Sequence, residues 1–304
     1  MKKTLLHGLM ILMAMGFVGA CSYAPVTGRR QLQLLPSGTI NKMGFQAYDE
    51  FLSAHKLSDD QEQQQTVKNV GGRIQEAVER YLGENDMSDR IKGYKWDFNL
   101  IESPEVNAWA MPGGKVVVYT GIMPVAKDDA GLAVILGHEI AHAVVGHGNE
   151  RMSQSLIAQM GGMALSEALA DKPAETRDLF LKAYGAGAQL GVLLPYSRLH
   201  ESEADHLGLI FMAMAGYDPH TAIDFWQRMA KQAKGPEQPG FLRTHPTTEN
   251  RIRQIEELIP EAEQYYARSQ SPQAVRHDLV PARNKDTREK KNKTRKKHRD
   301  DDDD

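Results

Sequence analysis

The chain of 304 residues contains the pentapeptide His138-Glu139-Ile140-Ala141-His142, which restricts the fold more than any other feature. The motif lies in the apolar run 132–145, which lacks proline and carries apolar residues on nearly every face, so this run predicts a buried helix. In a helix His138 and His142 are one turn apart, and both rings can reach one cation. Glu139 is rotated by about 100° from His138 and can address a water at that cation. Because buried imidazoles and carboxylates need partners, the motif predicts a catalytic zinc site rather than surface histidines.

A second motif, Glu201-Ser202-Glu203-Ala204-Asp205, lies in another segment with helical periodicity. Glu201 and Asp205 are one turn apart on one face of that helix. Glu201 is therefore the predicted third zinc ligand, and Asp205 is predicted to accept an N–H from a ligating histidine. Glu203 lies on the opposite face and is expected to be solvated, although it is the alternative ligand. His200 is a weaker alternative, because it points elsewhere.

The spacing after His142 excludes the metzincin class of zinc enzyme. A metzincin has a glycine three residues after the second histidine and a third histidine three residues later. This chain has Val145 and Gly148 at those positions. His147 is one residue out of step and is predicted to end the helix, with Gly148 as the stop. The predicted site is of the gluzincin type, with two histidines and one glutamate.

Three motifs, HEIAH, SRLHESEAD and THPTTENR, together resemble a family of membrane-associated gluzincin peptidases. The family includes HtpX, the CAAX prenyl proteases and periplasmic lipoprotein peptidases of the LoiP and BepA type. The segment 107–114, NAWAMPGG, is similar to another of its elements, and the resemblance covers roughly residues 40–260. It implies one zinc ion per chain on His138, His142 and Glu201, with Glu139 as general base. The sequence shows no counterpart of the transmembrane helices of HtpX, so a membrane-embedded substrate channel does not follow.

The same resemblance implies a catalytic-site role for His245, which follows a Gly/Pro-rich loop. Either His245 donates a hydrogen bond to the oxyanion of the tetrahedral intermediate, or it occupies the fourth zinc position and keeps the enzyme inactive. The strand before the active-site helix is expected to offer its edge to an extended substrate. Asn107 is predicted to contact the substrate backbone there, although an asparagine that forms a turn fits the same sequence.

The amino terminus predicts export and a lipid anchor. Lys2 and Lys3 precede an apolar segment, 5–20, that is too short for a stable membrane span. Small residues then lead to Cys21, the only cysteine, in a pattern that resembles a bacterial lipobox. Residues 1–20 are therefore a predicted signal peptide and Cys21 the predicted lipidated residue, an ordinary secretory signal being the alternative. Ser22 favours sorting to the outer membrane, with the enzyme facing the periplasm.

The remaining sequence predicts one peptidase domain with extensions on both sides. The domain is placed at 38–268, after a linker from the lipid anchor at 21–37 and before a charged, disordered tail at 269–304. Helices are predicted at 38–55, 59–83, 151–170 and 173–193 and after an N-cap at Ser197, with strands at 95–101 and 115–119. The expected fold class is α+β and mainly helical, with a small sheet beside the HExxH helix.

The two helices after the active-site motif are rich in Ala, Gly and Met. They indicate either ordinary packing, which their charge content favours, or a mobile apolar lid or membrane-touching surface.

These features predict an outer-membrane-anchored zinc metalloendopeptidase that cuts misfolded or damaged exported proteins by zinc-activated water, a role in protein quality control. Its expected partners are unfolded substrates, the membrane through lipidated Cys21, and other envelope proteases or assembly factors. A zinc-holding chaperone with latent proteolysis and a cell-wall amide hydrolase are the alternatives. The net charge of −3 gives no reason to expect a nucleic acid partner.

Overall fold

The computed structural model describes residues 21–170, 178, 182, 194–233, 239–246 and 248–271. The predicted signal peptide, most of the predicted helix at 173–193 and the tail beyond 271 lie outside the described residues. The described part is built from helices around a three-stranded sheet, with a separate two-stranded hairpin. The predicted fold class, mainly helical with a small sheet, is confirmed.

The helices and strands that hydrophobic periodicity predicts are present where the structure describes the chain. In chain order they are β1 Cys21–Tyr23, β2 Arg30–Leu32, α1 Ser37–Ala54, α2 Gln61–Glu84, β3 Asp97–Ile101, β4 Ala108–Met111, β5 Lys115–Tyr119, α3 Met123–Ala126, α4 Asp129–Val145, α5 His147–Ala168, α6 Leu194–Met214, α7 Thr221–Gln232, α8 Gly240–Thr244 and α9 Glu249–Ser269. The chain is already helical at Leu194, so Ser197 lies inside α6 and is not its N-cap.

The three-stranded sheet has the order β3–β5–β4, with β3 parallel and β4 antiparallel to β5. The strand before the active-site helices is therefore the central strand, and the prediction that it offers an edge is wrong. The edge beside α4 is β4, which is too short for its alternation to stand out in the sequence. Gly113 and Gly114, in the turn between β4 and β5, have positive φ angles of 91° and 81°, a conformation that favours glycine.

Helix α4 forms the centre of the domain. It begins where the Asp128 side chain accepts a 2.9 Å hydrogen bond from Gly131 N–H, and residues on all of its faces are buried, as predicted. It ends at Gly146, whose φ of 83° is left-handed. The predicted stop at Gly148 is therefore two residues late. His147 begins α5, which leaves α4 at a bend of 49°.

Helices α4 and α6 cross at two glycines. A Cβ atom on Gly137 would lie 2.7 Å from the carbonyl oxygen of Gly208, and one on Gly208 would lie 2.9 Å from the backbone nitrogen of His138. The two backbones approach this closely only because neither position carries a side chain. The crossing therefore brings the HExxH motif of α4 against the acidic motif of α6.

The amino-terminal segment, predicted as a linker, contains the β1–β2 hairpin. Strand β2 packs against α5, and the side chains of Ala24 and Gln31 are 2% and 1% exposed. This segment is thus folded against the domain, which leaves little of it as a free tether.

Among the described helices, no single one is long and apolar enough to cross a membrane, although the bent pair α4 and α5 meets that test jointly by length and composition. The described residues leave part of α5 uncovered. Its exposed apolar side chains are Met152, Leu156, Ile157, Met160 and Met163.

We predict that Gly208→Ala lowers the free energy of unfolding of the zinc-free protein by about 1–3 kcal/mol, because the new methyl group overlaps the backbone of α4. Gly72→Ala in α2 is the matched control, since a Cβ there meets nothing within 4 Å. It is expected to stabilise by roughly 0.5–1 kcal/mol through helix propensity. Urea unfolding followed by circular dichroism measures both, and wild-type stability of Gly208→Ala would contradict the close crossing.

Candidate metal centre and active site

The side chains predicted as metal ligands converge at the crossing of α4 and α6. The Nε2 atoms of His138 and His142 lie 3.1 Å apart. Glu201 Oε2 lies 3.4 Å from His138 Nε2, and Glu201 Oε1 lies 3.3 Å from His142 Nε2. The His245 ring enters from the end of α8, with its Nδ1 atom 3.2 Å from His138 Nε2 and 3.0 Å from Glu201 Oε2.

These four residues fit a zinc ion. Each of His138, His142, Glu201 and His245 offers one ligand atom, these atoms lie within 4.8 Å of one another, and all four residues are buried. Imidazole nitrogen and carboxylate oxygen are the donors that zinc prefers in hydrolase sites. The imidazole nitrogens of this cluster face one another around the buried Glu201 carboxylate. Such an arrangement is favourable when a cation lies among the nitrogens.

Glu139 lies beside this cluster without belonging to it. Its Oε1 atom is 3.3 Å from His245 Nε2 but makes no hydrogen bond there, and it is buried without a described hydrogen-bond partner. Burial raises the pKa of Glu139, against the smaller opposing effects of His245 and His138. A buried carboxylate with a free oxygen and a raised pKa suits a group that exchanges a proton with a substrate or a water.

Asp205 lies where the sequence predicts it, behind His138. Its Oδ1 atom is 3.0 Å from His138 Nδ1, which leaves His138 Nε2 directed at the ligand cluster. Arg251 completes the arrangement from α9, with hydrogen bonds of 2.8 Å from Nε and Nη2 to the two oxygens of Asp205. Its Nη1 atom is 3.1 Å from Glu201 Oε2, and its guanidinium lies 3.6 Å from the centre of the Trp226 ring.

Arg251 is a site residue that the sequence reasoning missed. It lies in the THPTTENR motif, so the motif contained the signal. The sequence did not show that an arginine near residue 250 would meet an aspartate near residue 205, because that contact exists only in the tertiary fold.

The surroundings of the two histidines of α4 shift their pKa values in opposite directions. Burial lowers the pKa of His142 well below its usual value, so its ring is neutral, as a metal ligand requires. Burial would also lower the pKa of His138, but hydrogen bonds to Asp205 and Glu201 outweigh it and raise that pKa to about 9. Burial would raise the pKa of Glu201, but its hydrogen bonds with the three histidines hold that pKa far below the usual range. A cation entering this cluster therefore competes with a proton on His138.

The structure corrects two expectations about neighbouring residues. Glu203 is not solvated: it is 2% exposed and its Oε2 atom lies 3.1 Å from His147 Nε2. His147 is fully buried, and its Nδ1 atom lies 2.8 Å from His142 Nδ1, so it stands behind a candidate ligand and does not end the HExxH helix. His200 lies away from the cluster, with Nε2 3.0 Å from Glu150 Oε2.

The Asn107 side chain makes its described hydrogen bonds within its own segment. Its Oδ1 atom accepts from the Ala108 N–H at 3.0 Å, and its Nδ2 atom donates to Glu105 Oε1 at 3.3 Å. Because Oδ1 accepts from the next residue and not from the residue two positions on, this is not an Asx turn, and Asn107 lies in an extended segment before β4. A contact with substrate stays a prediction.

A cleft of about 570 Å³ adjoins the candidate site at His142. Its lining includes Ala110, Met111 and Pro112 at the end of β4, residues 142–146 at the end of α4, and the polar side chains Arg90 and Tyr94. The cleft therefore lies between the edge strand β4 and the carboxyl-terminal end of α4, and His142 is the one member of the four-residue cluster in its described lining.

Comparison with known proteins agrees with this geometry. The sequence profile of Peptidase family M48 matches residues 69–259. The mitochondrial metalloendopeptidase OMA1 of Schizosaccharomyces pombe is 33% identical over 79% of this chain and 67% of its own length. Metalloendopeptidase OMA1 of Homo sapiens is 31% identical over 79% of this chain and 46% of its own length. A putative beta-barrel assembly-enhancing protease of Vibrio cholerae is 33% identical over 51% of this chain and 33% of its own length.

The chain therefore belongs to peptidase family M48. The predicted resemblance to gluzincin peptidases, the enzyme class of metalloendopeptidase and the zinc cofactor are confirmed. The chain spans about two thirds of the fission yeast relative and about half of the human one.

One prediction from the amino terminus is wrong. The relatives whose alignments cover about four fifths of this chain are named as mitochondrial proteins. This contradicts the predicted outer-membrane location facing the periplasm. That location is withdrawn.

Proposed function

We propose that this metalloendopeptidase cuts unfolded or misfolded proteins, as an enzyme of protein quality control, with zinc on His138, His142 and Glu201 and with Glu139 as general base. The observation that carries the assignment is the convergence of these donor atoms beside the Glu139 oxygen that has no hydrogen-bond partner among the described residues. The named relatives, which are metalloendopeptidases and an assembly-enhancing protease, support protein substrates.

The edge strand explains why an unfolded substrate is favoured. Tyr119 donates its N–H to the carbonyl of Asn107, so the antiparallel register turns the N–H and C=O of Ala110 away from β5 and towards the cleft. A substrate pairs with these groups only if its own backbone is extended and free. Such pairing uses only backbone hydrogen bonds and does not depend on the substrate side chains. It therefore suits a broad range of misfolded chains.

The chemistry divides between the metal and the protein. Zinc, when bound, acidifies the attacking water and stabilises negative charge on the substrate carbonyl oxygen. Glu139 takes a proton from that water and afterwards gives it to the leaving amine. Asp205 and Arg251 hold the His138 ring in orientation, and burial of the cluster keeps competing water away.

We predict that Glu139→Gln abolishes cleavage of an unfolded protein such as reduced casein while about one zinc per chain remains, because the ligands are unchanged. Glu201→Ala should instead lose the zinc, and Glu256→Ala, an exposed carboxylate of α9, should change neither. Metal analysis after dialysis and initial rates of cleavage are the measurements.

The same assay distinguishes the alternative functions. Cleavage by a zinc-loaded Glu139→Gln protein would show that Glu139 is not the general base. Zinc binding without cleavage by the wild type would favour a chaperone, and release of peptides from peptidoglycan but not from casein would favour a cell-wall amidase.

We further propose that His245 occupies the fourth position around the metal in the resting enzyme. Its Nδ1 atom lies among the ligand atoms, and its Nε2 atom faces Glu139, so the ring blocks the place where water and base meet. In the other role, as oxyanion donor, the ring would face the substrate.

We predict that His245→Ala raises the initial rate of cleavage and promotes self-cleavage, whereas His220→Ala, on an exposed histidine, leaves both unchanged. Loss of an oxyanion donor would lower turnover by about 10²- to 10³-fold instead. Rates are compared at equal zinc occupancy; a lower rate contradicts the blocking role, and an unchanged rate contradicts both.

We also propose that the chain is attached to a membrane through a lipid on Cys21, independently of the compartment. Cys21 opens β1, so the attached lipid would lie beside the folded hairpin. Acyl chains partition into a bilayer with about 0.8 kcal/mol per CH₂.

We predict that Cys21→Ala moves the full chain from the membrane fraction to the supernatant, whereas Ser22→Ala does not. Mass spectrometry of the amino-terminal peptide should show the lipid on wild-type Cys21. An unmodified Cys21 thiol in membrane-bound protein would contradict the proposal.

A further inference from the structure

A second buried polar cluster lies behind the metal ligands, between the hairpin, α5 and α6. Its members are His147, Glu150, His200 and Glu203, each at most 2% exposed, and the partly buried Arg29. The rings of His147 and His200 stack with their centres 4.2 Å apart, and each donates from Nε2 to one of the two carboxylates. So many polar groups are buried together only when each is matched to a partner.

The contact between His147 and His142 fixes which nitrogens carry hydrogen. A neutral imidazole has one N–H donor and one acceptor nitrogen. His147 Nε2 faces the Glu203 carboxylate at 3.1 Å, so it is the donor, and His147 Nδ1 is the acceptor. The His142 Nδ1 atom, 2.8 Å from His147 Nδ1, must then carry the hydrogen. This leaves the lone pair on His142 Nε2, which points at Glu201 and the ligand cluster.

Arg29, on the β1–β2 hairpin, keeps Glu203 in the role of acceptor. Its Nε and Nη2 atoms donate to Glu203 Oε1 and Oε2 at 3.1 and 2.9 Å, and Thr27 Oγ1 donates to Oε1 at 2.6 Å. A second edge of the same guanidinium faces Glu150, where Nη1 and Nη2 donate to Oε1 and Oε2 at 2.7 and 2.9 Å. A planar guanidinium in this fork geometry fixes the orientation of both carboxylates, which a lysine cannot do.

We propose that Arg29 is a positioning residue for the metal site, acting through Glu203 and His147 to hold His142 in the tautomer and orientation that bind zinc. The inference rests on the proposed role of His142 as a ligand. It assigns the amino-terminal hairpin a part in the metal centre, since the hairpin supplies the only guanidinium that the described residues place on Glu203.

The test measures zinc retention by the purified full chain. Zinc-loaded variants are mixed with an excess of a chromogenic chelator, and the rate of zinc release is followed at a temperature far below unfolding. Arg29→Met should release zinc about 10- to 100-fold faster than wild type, as loss of a partner behind a ligand does in other sites. Arg30→Met removes the neighbouring exposed arginine and should match wild type.

Two further variants separate positioning from simple stability. Glu203→Gln keeps the shape of the side chain but presents a donor as well as an acceptor, so it should also release zinc faster. Arg29→Lys should give an intermediate rate.

In the cobalt-substituted protein, Arg29→Met should shift the visible absorption bands, because the orientation of His142 changes. Combining Arg29→Met with His147→Phe should add little to His147→Phe alone, because both act on one path.

The outcomes are distinct. If Arg29→Met and Glu203→Gln release zinc at the wild-type rate with unchanged cobalt spectra, the positioning role is refuted, even if Arg29→Met lowers stability. If Arg29→Met does not fold, Glu203→Gln and Arg29→Lys decide in the same way. If His142→Ala retains zinc as the wild type does, the ligand assignment itself fails, and that result is separate from the behaviour of Arg29.

Discussion

The close crossing of α4 and α6 at Gly137 and Gly208 determines how every other part of the site is placed. It brings a helix with two buried histidines against a helix with three buried carboxylates, at a distance that larger residues would prevent. Unpaired charges at such a crossing would destabilise the fold, so the elements that surround it supply compensating charges. Arg251 from α9 does this for Asp205 and Glu201, and Arg29 from the hairpin does it for Glu203.

Each histidine of α4 has a partner on the side away from the cluster, and the two partners differ. His138 faces a carboxylate, Asp205, which stabilises positive charge on its ring. His142 faces another imidazole, His147, which fixes a hydrogen without adding charge. The first arrangement increases the basicity of one proposed ligand, and the second fixes the orientation of the other. This asymmetry is a property of the tertiary fold, because it requires the left-handed turn at Gly146 that folds His147 back under His142.

The sequence was sufficient for the features that depend on one helix. The spacing of His138 and His142, and that of Glu201 and Asp205, follow from a period of 3.6 residues, so their shared faces were predictable. Arg251, His147 and Arg29 were missed in these roles because their contacts join distant segments. Strand β4 was missed because four residues carry too little alternation. The helix stop was misplaced because Gly146 and Gly148 both fit the composition, and only the backbone angle distinguishes them.

The long separation of the residues that complete the site has a consequence for biosynthesis. Arg29 and Glu203 are 174 residues apart, and His138 and Arg251 are 113 apart, so the contacts close only when nearly the whole domain has been made. Contacts of this range form late, since the closure of long loops precedes any gain from them. A nascent chain therefore carries the HExxH helix long before it carries a working protease. Proteins folding nearby are exposed to its activity only after its own folding is finished.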